Sequence, residues 1–139
     1  LTPDDLNGGT FTISNLGMLY LEENRVDDAL RLLQKWINSS TDANLLYSPY
    51  ALALAMSGDL KNGLMWMKKA SEAEPGDPAH LYNLAGMSAL ANDSVNCFKF
   101  LNLAIDRGYS NYDKLRKDPI FSSVKNNSQF YKILERISE

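Results

Sequence analysis

The sequence predicts an all-α fold built from antiparallel helical hairpins, and three observations predict it. Small residues recur at a fixed interval of 34 positions, apolar residues between them follow helical spacing, and each run is broken once by a short polar turn. The 139 residues fit one domain with a core of its own.

Six columns carry the interval. Gly17, Ala51 and Ala85 form one, Ala29, Gly63 and Cys97 the next, and Leu33, Met67 and Leu101 a third. Trp36, Ala70 and Ala104, then Leu16, Tyr50 and Leu84, then Ile13, Tyr47 and Leu81 complete the set. A small residue at a helix crossing lets two axes approach, and large residues beside it fill the grooves.

The first hairpin is predicted over 11–23 and 26–37, turning at "LEENRVDDAL". Asp27 and Asp28 sit in the first turn of its second helix, where the positive end of the helix dipole favours them; neighbours about 100° apart on a helix do not form an acid–base pair. The second hairpin is predicted over 44–57 and 60–73, turning at "MSGDLKNGL". Pro49 requires that its first helix either begin late, with Ser48 as the cap, or bend. Pro75 and Gly76 then stop the chain, Asp77 is placed to cap the next helix, and Pro78 takes its first position, where a missing N–H costs nothing. The third hairpin is predicted over 79–91 and 94–107, turning at "LANDSVNCF".

After Gly108 the interval is abandoned. Asp118-Pro119 repeats the cap-then-proline device, and Phe121, Val124, Phe130, Ile133, Leu134 and Ile137 give apolar faces to two short helices. Their role is to cover the apolar face that a terminal hairpin leaves open.

These columns make residues 10–107 resemble three tetratricopeptide repeats (TPRs), 10–43, 44–77 and 78–107. Leu16-Gly17, Tyr50-Ala51 and Leu84-Ala85 supply the large–small pair of that family, and Pro75 supplies the closing proline of the second unit. The sequence departs from the pattern at Trp36, Cys97 and Ser88, and units one and three lack the proline. The tail 108–139 resembles the "DPxF…F" ending that follows TPR arrays in many bacterial proteins, and residues 1–9 are expected to be a linker or extension. The resemblance implies a right-handed superhelix of three antiparallel hairpins with a helical C-terminal cap.

It also implies a concave groove lined by the first helix of each hairpin. Carried over by register, that groove holds Phe11, Ser14 and Met18, then Ser48, Leu52 and Met56, then Tyr82, Asn83 and Gly86. Such a surface is largely apolar and suits the apolar side of a peptide or helix. The cationic clamp with which some TPR domains hold a terminal carboxylate is not expected, because Ser14, Met18, Pro49, Ala79 and Asn83 stand at its positions.

Chemistry other than binding finds little support. Cys97 is the sole cysteine and occupies a packing column, so an inert buried thiol is expected and neither a disulfide framework nor a multi-cysteine zinc site can form. His80, the sole histidine, reads as a surface residue in a first helical turn, with no second ligand or nucleophile in register. No catalytic residue, metal or cofactor is therefore expected. Net charge is −3, with eight acidic against three basic residues before position 60 and a mildly basic tail. This charge and the 34-residue interval both disfavour the related RNA-binding helical repeats, whose groove should be basic. The longest apolar runs fall far short of the ~20 residues of a membrane span. The expectation is a non-catalytic module that binds a protein or peptide, part of a larger protein, with an architectural or self-associating domain as the alternative. Cytoplasmic and exported locations are both compatible with it.

Overall fold

The computed structural model describes residues 9–38 and 42–138; the expected extension 1–9 lies outside them save for Gly9. Among the described residues all regular structure is helical. The helices are α1 Gly9–Glu22, α2 Val26–Trp36, α3 Asn44–Met56, α4 Leu60–Ala73, α5 Pro78–Leu90, α6 Ser94–Asp106, α7 Tyr112–Lys117 and α8 Ser128–Ile137, with a 3₁₀ helix Pro119–Val124 between the last two. The hairpin helices match expectation to within two residues. None among the described residues is long and apolar enough to cross a membrane.

The chain divides into two compact units, Leu1–Ala73 and Glu74–Glu139, where a single domain was expected. In the first, α1 packs on α2, α3 on α4, and α3 on both α1 and α2. Ile13, Leu33, Trp36, Leu46 and Ala53 form its core. Tyr47 and Tyr50 close the second hairpin against Trp66, with ring centroids 5.4 and 5.2 Å away. Small residues bring the axes together as the columns require. A Cβ on Gly17 would stand 3.1 Å from the Leu33 side chain, and one on Gly63 would stand 3.0 Å from the Ala51 carbonyl oxygen.

In the second unit, α5 packs on α6, the 3₁₀ helix lies on α5, and α8 lies on α6 and α7. Ala85, Cys97, Leu101, Leu115, Phe121, Phe130 and Ile133 are its core. The tail thus forms three helical segments rather than two. The extra one is α7, capped by Asn111, whose side chain accepts from Lys114 N at 3.0 Å; the expected pair follows, the first begun by Asp118, whose carboxylate accepts from Ile120 N at 3.1 Å before a 3₁₀ turn.

The turn inside each hairpin reveals a further column at the same interval. Asn24 (φ 60°), Gly58 (φ 99°) and Asn92 (φ 59°) take the left-handed conformation, which glycine and asparagine tolerate best. The residue after each donates its N–H back across the turn: Arg25 to Tyr20 O at 2.7 Å, Asp59 to Leu54 O and Asp93 to Ser88 O at 2.9 Å. Asp59 and Asp93 then accept from the backbone N–H of Asn62 and Asn96. In the first hairpin an ion pair holds the equivalent place. Arg25 Nε donates to Asp28 Oδ2 at 2.9 Å and Arg31 to Oδ1 at 2.6 Å. Hydrogen bonds from Arg31 and Arg25 hold the Asp28 carboxyl below its ordinary value.

Candidate functional site

On α1, Phe11, Ser14 and Met18 are spaced three and four apart and share a face; on α3, Ser48, Leu52 and Met56 are spaced four apart and also share a face. Pro49 lies inside α3, which begins at Asn44, so the late-start alternative is set aside. Having no N–H, Pro49 cannot donate to the carbonyl of Leu45, four residues back. Ser14 Oγ donates to that carbonyl instead, at 3.1 Å. Leu45 is one turn before Ser48, so this bond sets the two rows side by side.

Phe11 is 64% exposed and Met56 50%, while Met18, Ser48 and Leu52 are half-buried. Tyr47 and Tyr50 turn to the other side of α3, toward Trp66. The first unit therefore exposes Phe11 near the start of α1 and Met56 at the end of α3, with Met18 and Leu52 half-buried between and Ser14 engaged with α3.

The three residues expected from the third hairpin stand differently. Tyr82 is buried, stacked on Tyr109 at 4.7 Å and edge-on to Phe121 at 5.4 Å, and its hydroxyl donates to Asp118 Oδ2 at 2.6 Å. Gly86 lies under Ile120, whose Cδ1 is 2.6 Å from where a Cβ would be. Asn83 is half-buried. The tail therefore occupies the α5 face to which Tyr82 and Gly86 were assigned as binding residues, and this corrects their expected role. Burial and the Asp118 bond push the Tyr82 phenol well above its ordinary range; burial also raises Tyr109. Lys114 and Arg116 on the tail are drawn over the rings of Tyr82 and Tyr112. Cys97 is buried as expected, and burial pushes its thiol up to about 12.

His80 is the second correction: only 7% exposed, it is not a surface residue. Asp77 caps α5 through Oδ1, which accepts from Ala79 N at 2.9 Å, and Asp77 Oδ2 lies 3.6 Å from His80 Nε2. Glu74 Oε1 stands 3.2 Å from the same nitrogen. One signal in the sequence pointed here. The third residue of a helix faces its cap, as in a capping box, so Asp77 and His80 were bound to meet.

No family model matches the chain, and no curated relative matches it. Solved structures do. The type III secretion chaperone SycD of Yersinia enterocolitica, in complex with a peptide of the translocator YopD, superimposes with a TM-score of 0.67 at 11% identity, covering 95% of this chain and 94% of that one. The fold is TPR-like. MamA superimposes with a TM-score of 0.72 at 13% identity, over 91% of this chain and 74% of its own. PcrH, in complex with the chaperone-binding region of PopB, gives 0.64 at 12% identity, over 92% and 97%. At such identities the likeness carries the TPR-like fold and not a shared activity.

Proposed function

We infer that this chain is a non-catalytic TPR-like module that binds a peptide or helix through the apolar strip of α1 and α3. The carrying observation is the exposure of Phe11 and Met56 beside half-buried Met18 and Leu52, on two helices fixed to each other by the Ser14–Leu45 bond. Methionines adapt to varied apolar surfaces, and an amphipathic partner would bury its own apolar face against them. Two of the similar folds, SycD and PcrH, are held in complexes with segments of the proteins YopD and PopB, which supports a peptide as ligand. Tyr82 and Gly86 are left out of this surface, because the tail covers them.

The test is a display library of amphipathic peptides selected on the wild-type protein and re-measured on a Phe11→Ala/Met56→Glu variant. Both side chains are exposed, so the helical circular dichroism signal should persist while affinity falls at least about tenfold. Salt should change binding little, since apolar contact is not screened. Affinity that survives the double change, or falls steeply with salt, places the site elsewhere.

A further inference from the structure

We propose that Glu74, Asp77 and His80 form a binding site for a divalent transition metal of the zinc class. One ligand atom from each lies within 4.8 Å of the others. His80 Nε2 is 3.2 Å from Glu74 Oε1 and 3.6 Å from Asp77 Oδ2. Zinc bonded tetrahedrally at about 2.0–2.1 Å has ligand–ligand edges of about 3.3 Å, so these two separations already fit such an ion. The third closes by rotation of carboxylates that are 39% and 42% exposed.

Three features set this turn apart from an ordinary acidic surface. The imidazole is more than nine-tenths buried yet directs Nε2 between two carboxylates, and Nδ1 has no hydrogen-bond partner. A protonated Nε2 can donate well to only one of those carboxylates; with the ring proton moved to Nδ1, Nε2 and both carboxylates present lone pairs that a dication accepts together. Asp77 is held for the task, because Ala79 N fixes Oδ1 and leaves Oδ2 facing the ring. Pro75 and Gly76 close the loop that returns Glu74 toward His80, and Arg107, which follows α6, donates to the Pro75 carbonyl. That guanidinium is the cation bound to the loop. It and the unpartnered Nδ1 place the affinity below that of closed structural zinc sites, with water completing the shell.

The chain's single histidine makes the experiment direct. Tag-free protein would be titrated with Zn²⁺ at neutral pH, by calorimetry and by the proton resonances of the His80 ring. One ion per chain is expected, with the ring signals moving in step with the heat. Asp77→Asn keeps an oxygen for Ala79 N, and Glu74→Gln changes a half-exposed side chain, so both should fold. Each should weaken binding by at least the roughly 10–100-fold that loss of a mere supporting partner costs. The site is refuted if Zn²⁺ binds without moving the His80 resonances, if both variants bind as the wild type does, or if no binding occurs below millimolar Zn²⁺.

Discussion

Pro49 shows how one absent N–H is answered by a neighbouring helix. The carbonyl of Leu45 would have accepted from residue 49, and Ser14 accepts the vacancy by donating its hydroxyl there. Ser14→Ala should therefore cost about 1 kcal/mol, the usual net worth of such a bond. In a Pro49→Ala background the restored N–H can take the carbonyl itself, so the Ser14→Ala cost should shrink toward zero. A double-mutant cycle by urea denaturation reads the difference, and equal costs in both backgrounds would show that the two sites are not coupled. At this scale the sequence shows where Pro49 interrupts the pattern but not which residue compensates, because the compensating hydroxyl is 35 positions away. The column of Asn24, Gly58 and Asn92 escaped for another reason. Asparagine and glycine share a conformation, not a volume or polarity, so packing patterns do not register their equivalence.

Helices were legible because their signals are local: periodicity, caps and prolines placed all six hairpin helices. The tail was harder. Its apolar residues are evident, but no repeat interval ties them to a partner, so nothing in the sequence says that Ile120 lies on Gly86 or that Asp118 receives Tyr82. Two expected binding residues were lost to the core for that reason. The contact is testable as an element-level lock. Gly86→Ala places a carbon against Ile120 Cδ1; crowding of ~1–3 kcal/mol, offset by about 1 kcal/mol of helix propensity, should leave the second unit destabilised by up to about 2 kcal/mol. Ile120→Val removes that terminal carbon and costs about 0.5–1.5 kcal/mol alone. Thermal melts of the double variant should show less than the sum of the two losses; a fully additive or larger loss would mean that the tail does not rest on Gly86.

Across the whole molecule, each unit has its own core, and among the described residues the buried acids with raised pKa values, Tyr82, Cys97 and Tyr109, belong to the second. The linkage has one sign. The folded chain keeps the Cys97 proton up to about 12, whereas an unperturbed thiol loses it near 9.0, and the two phenols likewise hold theirs beyond the ordinary 10.0. Above pH 9 the unfolded state binds fewer protons, so stability is full below that pH and is lost as pH climbs toward 12. Urea midpoints followed by circular dichroism should fall steadily over this window, and Cys97→Ala should flatten its first part. A midpoint independent of pH would contradict the buried setting of these groups.

The core of the first unit lies within residues 13–70, and every helix in it packs on a neighbour close in sequence. A ribosome builds a chain from its N-terminus, and domains fold as units while synthesis proceeds. Ser14 is thus already made when α3 emerges with its open carbonyl, and Ile13, Leu33 and Trp36 await Leu46 and Ala53. The first unit has all its core residues before Glu74 is added, so it can fold before the second unit is complete. The second must wait for Phe130 and Ile133 before its core is complete.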